Sequence, residues 1–351
     1  MTDGSTQRAS DEHLLTIDDL SVTFDARKRV RGRRDQIFAV ANVSLHIEPG
    51  ETLALVGESG SGKSTLARAI CGLVQYQGRI EIAGRDLGQL GGFRRREAAL
   101  LRQIVFQDPY SSLNPTMTVA ELIAEPMRQV GRSSRIGRSA RVAELLDAVQ
   151  LPSAFAARLP SELSGGQRQR VAIARAIAVE PSLVILDEAL SALDVTTQRG
   201  IMDLLIRLRD EHGLSYLFIA HDLAVVRSIA HRVAVMYVGQ VVEEGPTERV
   251  FKEPSHPYTE ALLSAVLLPN PRVQRSRQRV ILGGELPDPT SPPAGCAFHP
   301  RCPHAMDVCK ELEPKWSGAG GGVRVTCHLH DPAEADEESP VLSGLTSTES
   351  S

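Results

Sequence analysis

The sequence holds no stretch near the roughly 18 uninterrupted apolar residues that a membrane-spanning helix needs, so no segment reads as transmembrane. Its amino-terminal stretch, MTDGSTQRASDEH, has none of the apolar core of a secretory signal peptide. Together these absences predict a cytosolic protein, where thiols stay reduced and disulfides are rare. Lysine is scarce, at five positions, so nearly all the positive charge is arginine, a bias that a GC-rich genome also produces. The net charge of −4 argues against a general nucleic-acid binder. No repeat occurs at a solenoid period. What remains is an ordinary globular composition, 42% apolar and 23% charged, in 351 residues. That length holds one large α/β domain with a small appendage, or two modest domains.

Residues 1–12 and 333–351 are polar and rich in Ser, Glu and Asp, and are expected to be disordered. Leu20, Val22 and Phe24 alternate as in a half-buried strand. The basic run DARKRVRGRRDQ, 25–36, follows; its plain reading is a solvated hairpin loop, with contact to an acidic surface as the alternative. Leu53 to Val56 form an apolar run suited to a strand buried on both faces. SLVILDE (182–188) and LSYLFIAHD (214–222) read the same way, with Ile201, Leu204, Leu205 and Leu208 at helical spacing between them. Strand, helix, strand implies a parallel sheet with helical crossovers. From about 108 to 180 the pattern is helical, and RVAVMYVGQVVEEGP (232–246) reads as strands around Gly239. A boundary is expected near Pro254, after which proline, glycine and cysteine become frequent.

Three motifs carry chemistry. GESGSGKST, 57–65, matches G-x4-G-K-[ST] between an apolar strand and a helical pattern. Gly57, Gly60 and Gly62, with Ser59 and Ser61 between them, let backbone N–H groups curl around phosphate oxygens. Lys63 reaches the β- and γ-phosphates, Ser64 is a candidate Mg²⁺ ligand, and Thr65 closes the motif. A chance glycine-rich turn is the competing reading, disfavoured by the strand before and the helix after. SLVILDE ends in Asp187, at the carboxyl edge of the sheet where it supports Mg²⁺, and Glu188, placed to polarise a water toward the γ-phosphate. LSGGQRQR, 163–170, opens a second helix on two glycines, another site for an anion. A chain with one phosphate loop has use for such a helix start if it faces another subunit's nucleotide.

Through LSGGQ at 163–167 the sequence resembles the ATP-binding cassette (ABC) ATPases, over about residues 13–255. The resemblance implies a P-loop nucleotide-binding domain of RecA-like core, antiparallel β subdomain and helical subdomain. It implies a dimer binding two ATP molecules, each between one chain's Lys63 loop and the signature Ser164, Gly165, Gly166 and Gln167 of the other. Gln107 matches the loop that senses Mg²⁺ and touches the membrane partner, Asp194 the loop that crosses the dimer interface, and His221 the histidine that contacts the γ-phosphate. Phe24 resembles the aromatic that stacks on adenine, although Phe38 is near and either residue reads equally as core. DEALSALD departs from many relatives, which carry Pro-Thr in place of Ala189 and Leu190; no phosphate-contacting group is changed.

QDPYSSLNP (107–115), HPYT (256–259) and a cysteine-bearing tail narrow the resemblance to the oligopeptide/dipeptide importer ATPases. That branch implies a second ATPase subunit, identical or homologous, two membrane permease subunits and an extracytoplasmic substrate-binding protein, with this chain at the cytoplasmic face of the membrane. Nickel and glutathione importers share the tail. A non-transporting ABC ATPase is the rival from another class; the single phosphate loop and the lack of heptads between Lys63 and Ser164 weigh against it.

Cys71, on the helix after the loop, reads as a small buried hydrophobe. Cys296, Cys302, Cys309 and Cys327 lie in the extension 256–332, spaced x5, x6 and x17, without the close pairs of zinc knuckles. Four thiolates so spaced are compatible with a [4Fe–4S] cluster, and the family resemblance implies one. His299, His304, His328 and His330 keep a mixed zinc site open, and unligated packing is the third reading.

Overall fold

The computed structural model describes residues 13–30, 33–91, 97–108, 112–130, 135–265, 287 and 292–331. The two segments expected to be disordered, 1–12 and 333–351, lie outside the described residues.

The chain opens on a long antiparallel hairpin, β1 (Leu15–Val30) and β2 (Arg33–Ile47). Its backbone pairing runs on to Arg29 opposite Arg34 and Val30 opposite Arg33, within the basic run expected as a loop. That expectation needs correction: ladder hydrogen bonds join backbones and require no apolar alternation, so an arginine-rich stretch still pairs. With β4 (Gln77–Ile82) and β5 (Arg85–Asp86) the hairpin forms a four-stranded sheet in the order β2-β1-β4-β5.

The second sheet has eight strands. Its centre is parallel: β9 (Arg232–Tyr237), β3 (Thr52–Val56), β8 (Ser215–Ile219), β7 (Leu183–Asp187) and β6 (Arg102–Val105), side by side. Alternate residues of these apolar strands point to opposite faces. Leu53, Leu55, Ile185, Leu217 and Met236 pack toward the four-stranded sheet and helix α1 (Lys63–Ile70). Ala54, Val56, Leu186, Phe218 and Val235 pack toward the helices of the other face. The latter include α2 (Val119–Val130), α3 (Arg135–Ala148), α4 (Gly165–Ile177), α5 (Val195–His212) and α6 (Leu223–Ile229). Burial on both faces explains why β3, β7 and β8 read as continuous apolar runs.

The carboxy-terminal stretch joins this sheet. Strand β10 (Gln240–Pro246) turns back along β9, and α7 (Thr247–Lys252) and α8 (Pro257–Ser264) follow. After the short helix α9 (Val308–Glu311), the hairpin β11 (Trp316–Gly320) and β12 (Val323–Thr326) adds to the edge of β10. Buried Glu244 of β10 fastens it there, bonded to Arg232 and, at 2.6 Å, to Arg324 of β12. Tyr258, Leu263, Phe298 and Val323 belong to the same apolar cluster as the helical face. No helix among the described residues is long and apolar enough to cross a membrane.

Candidate functional site

The site grows from the carboxyl ends of the parallel strands, where crossovers leave a crevice. The loop between β3 and α1 carries the glycines. Gly57 and Gly62 have φ of +153° and +105°, and a Cβ at either would overlap a backbone carbonyl, of Met236 and Ala39 respectively. Only glycine lets the loop lie this close to β2 and β9. Lys63 is buried, and its Nζ donates to the Gly57 carbonyl and the Glu58 carbonyl, each at 2.8 Å, and to Ser61 Oγ at 3.3 Å. Burial lowers its pKa, opposed by the carboxylates of Glu188, Asp187 and Glu58. An ammonium so enclosed is aimed at the loop's interior, where phosphate oxygens would replace its carbonyl partners.

Ser64 Oγ donates to Asp187 Oδ1 at 2.8 Å, joining α1 to the end of β7. Burial raises the Asp187 pKa, against the hydrogen bond from Ser64. A hydroxyl and a buried carboxylate converging in this way are hard oxygen donors of the kind Mg²⁺ takes. Beside them, Glu188 has φ of 47°, a left-handed conformation that costs a non-glycine residue about 1–3 kcal/mol. Its backbone is held by its N–H to Ile219 O at 3.0 Å and by Ser191 Oγ donating to its carbonyl at 2.9 Å. Gln107 Nε2 donates to Glu188 Oε2 at 2.9 Å, and His221 Nδ1 stands 3.6 Å from the same oxygen. The left-handed backbone and these two neighbours leave the Glu188 carboxylate facing Gln107 and His221 at the strand end.

Ser59, Gly60, Gly62, Lys63, Ser64, Thr65, Gln107 and Glu188 line one cleft of about 370 Å³, walled on its other side by Ile37, Phe38 and Ala39 of β2. The structure thus gathers the phosphate loop, Asp187 and Glu188 at the end of β7, Gln107 after β6 and His221 after β8 into one place. Phe38 is on the cleft wall, whereas Phe24 is not; Phe24 stands opposite the lining residue Ile37 across the hairpin and is 42% exposed. Directly opposed residues of a pair share a face, so Phe24 lies on the side of the hairpin that Ile37 presents.

Ser164, Gly165, Gly166, Gln167 and Asp194 are not in this cleft. Ser164 caps α4 and forms a reciprocal box with Gln167, donating its N–H to Oε1 at 2.9 Å and accepting the Gln167 N–H at 3.3 Å. Gly166 abuts Thr197 at the start of α5, and Asp194 caps α5 by accepting the Thr197 N–H at 3.0 Å. The signature and the Asp194 loop are therefore neighbours on the surface, outside the phosphate-loop cleft.

Sequence reasoning missed two groups that hold the loop from behind, Tyr258 and Arg301. Glu58 donates its N–H to Tyr258 Oη at 2.8 Å, and both its carboxylate oxygens take the guanidinium of Arg301 at 3.0 and 3.2 Å. Tyr258 and Arg301 lie within HPYT and the cysteine-bearing string, and neither residue carries a role of its own in the sequence reading. The four tail thiols also influence one another: Cys327 is pushed up to about 11 by burial and by Cys296, Cys302 and Cys309. Cys296 N–H donates to the Cys309 carbonyl at 2.9 Å. Among the described residues no three of these sulfurs lie within 4.8 Å of one another.

The parallel sheet, the phosphate loop on α1, the Asp187–Glu188 strand end and the LSGGQ-capped α4 define an ABC-type ATPase cassette. The family model "ABC transporter" matches residues 40–191, and "Oligopeptide/dipeptide transporter, C-terminal region" matches 242–309. A Brucella abortus protein named as a candidate peptide import ATP-binding protein is 49% identical over 91% of this chain and 95% of its own. The oligopeptide transport ATP-binding protein OppF of Salmonella typhimurium is 46% identical over 91% and 97%, and AppF of Bacillus subtilis 43% over 92% and 99%. An ATP-binding cassette solved as a dimer in a post-hydrolysis state with ADP and Pi superposes with a TM-score of 0.59 at 32% identity, covering 66% of this chain and 98% of that one. This chain belongs to the ABC transporter ATP-binding proteins, in their oligopeptide/dipeptide branch, and is an ATPase.

Proposed function

We propose that this chain hydrolyses ATP to drive the import of oligopeptides or dipeptides through separate membrane permease subunits. It works at the cytoplasmic face of the membrane, beside a second ATPase subunit and supplied by an extracytoplasmic substrate-binding protein. The observation that carries the reading is the convergence of Lys63, Ser64, Gln107 and Glu188 on one cleft, with Asp187 bonded to Ser64 and His221 beside Glu188, in a chain whose residues 242–309 match the oligopeptide/dipeptide model.

The residues divide the work. Lys63 and the N–H groups of Gly57 and of Ser59 to Thr65 bind the triphosphate, with Phe24 and Phe38 available to the adenine ring. Ser64, Asp187 and Gln107 would hold Mg²⁺, which neutralises phosphate charge when bound. Glu188 orients a water for in-line attack and accepts its proton, and His221 steadies the γ-phosphate side. Ser164, Gly165, Gly166 and Gln167 of the partner close over the same nucleotide, with Asp194 at the seam, so hydrolysis needs the dimer. Movement of the Gln107 region relays the nucleotide state to the permeases.

Residues 13–255 form the nucleotide-binding unit and 256–332 the importer-type extension. In that extension Cys296, Cys302, Cys309 and Cys327 would hold a [4Fe–4S] cluster. Zinc with bonds of about 2.3 Å would draw sulfurs to about 4 Å apart, closer than these thiols come as a group. Buried and half-buried thiols that raise one another's pKa also suit a shared cationic centre, which favours their thiolates. A structural clip on a segment with little core of its own is its plainest role.

Glu188→Gln tests the reading in the complex purified with its permeases. The variant should bind ATP with unchanged affinity while turnover falls about 10²–10⁴-fold. Hydrolysis at the unmodified rate would remove Glu188 from the role. A chain recovered with ribosomes or DNA, and never with permeases, would end the importer reading.

A further inference from the structure

The string CAFHPRC, 296–302, has no part in the ATP chemistry just described, yet Arg301 within it reaches the phosphate loop. Arg301 is 8% exposed in its side chain and takes both carboxylate oxygens of Glu58, the residue after Gly57. A two-pronged guanidinium–carboxylate pair fixes orientation as well as charge. Nη1 of Arg301 also donates to Tyr237 Oη at 3.4 Å. The rings of Tyr237, Tyr258 and Phe298 pack on one another, with centroids 4.6 to 5.5 Å apart. They form an aromatic bed under the pair.

Glu58 is consequently gripped at every polar group it has. Its N–H is taken by Tyr258, its carboxylate by Arg301, and its carbonyl by Lys63 Nζ. The first two partners come from segments 200 and 243 residues away. Two consequences follow for a loop that must receive a triphosphate. The turn leaving β3 is fixed, so the following N–H groups are already aimed before nucleotide arrives. A carboxylate on the loop would repel the polyanion, and the guanidinium beside it cancels that charge.

We propose that Arg301 is a positioning residue for nucleotide binding: from the cysteine-bearing segment it masks Glu58 and holds the phosphate loop in its ATP-receiving shape. This rests on the ATP-site reading above, and the experiment separates the two. ATP affinity, by a fluorescent ATP analogue, and steady-state kinetics are measured on the full chain with its permeases for R301A, R301K, E58Q and R301A/E58Q. R301A should raise Kd and KM for ATP about tenfold, with kcat at saturation within about twofold. E58Q loses the fork but also the charge to be masked, so it should raise Kd no more than about threefold, and R301A in the E58Q background should cost less than about threefold more. An unchanged Kd in R301A, or an equal loss in both backgrounds, overturns the proposal. If R301A does not fold, R301K decides: charge kept and fork lost should give about a threefold rise in KM, and a wild-type KM overturns the idea. Failure of the wild-type complex to bind ATP would instead sink the ATP site itself.

Discussion

Two glycine-flanked helix starts, α1 at Lys63 and α4 at Gly165, offer backbone N–H groups to an anion, and the fold treats them in opposite ways. The N-cap of α1 is Gly62, left-handed, with no side chain to cap it. The loop before it is held from within by Lys63 and from behind by Tyr258 and Arg301. The N-cap of α4 is Ser164, in extended conformation, closed by its own box with Gln167 and exposed. A helix start without a cap depends on a ligand supplied by its own site. A helix start that satisfies itself is stable bare and can be offered to another molecule's nucleotide. The asymmetry is what a head-to-tail dimer requires of each chain.

Lys63→Ala attacks the first site and has the largest expected effect. ATP affinity should fall at least about 100-fold and turnover with it, since an enclosed ammonium contact to phosphate disappears. Titration with a fluorescent ATP analogue reads this directly; unchanged affinity would sink the phosphate-loop assignment. Ser164→Ala attacks the second site and should separate the two functions. Loss of the cap should cost about 1 kcal/mol of stability in chemical denaturation. Nucleotide affinity of the isolated chain should hold, while turnover of the assembled complex falls about tenfold. If Ser164→Ala weakened binding in the isolated chain as Lys63→Ala does, the division between own site and partner's site would fail.

How far the site was legible in the sequence follows from how local its chemistry is. The phosphate loop is nine contiguous residues between a strand and a helix, so type, order and spacing define it without a fold. Asp187 and Glu188 were legible because four apolar residues measure the distance to the end of a buried strand. The cleft wall was harder. Register shifts in the β1–β2 pairing on both sides of Val22, and after Asp25, break the two-residue count that would have ranked Phe24 against Phe38. The grip on Glu58 was out of reach, since it joins residues 200 and 243 positions apart by way of a tail that returns to the sheet. A cluster of His13, His46 and Glu48, with the two imidazoles stacked at 4.3 Å, likewise exists only once β1 and β2 pair.

The smallest effect distinguishes the two helix starts by pH. His256 is 1% exposed, and burial, with the charge of His330 added, lowers its pKa to about 3. Its Nδ1 accepts the Tyr258 N–H at 3.0 Å, capping α8, and its backbone N–H donates to buried Glu243 at 2.9 Å. In the unfolded chain this imidazole takes up a proton near its ordinary value of about 6.5. Between about 6.5 and 3 the unfolded state therefore binds more protons, so stability falls as pH drops through that window. At pH 5.5 the loss from this one group is about 1.4 kcal/mol. His256→Asn keeps an acceptor for the cap and cannot titrate. Denaturation from pH 7.5 to 5.5 should show a shallower decline in the variant, with stability at pH 7.5 changed by less than about 1 kcal/mol. Because α8 presents Tyr258 to Glu58, ATP affinity measured across the same range should decline less steeply in the variant as well. The self-capped α4 has no such group, and Ser164→Ala should leave the pH slope where it was. Equal slopes in His256→Asn and the unaltered chain would show that the support behind the phosphate loop does not rest on a neutral imidazole.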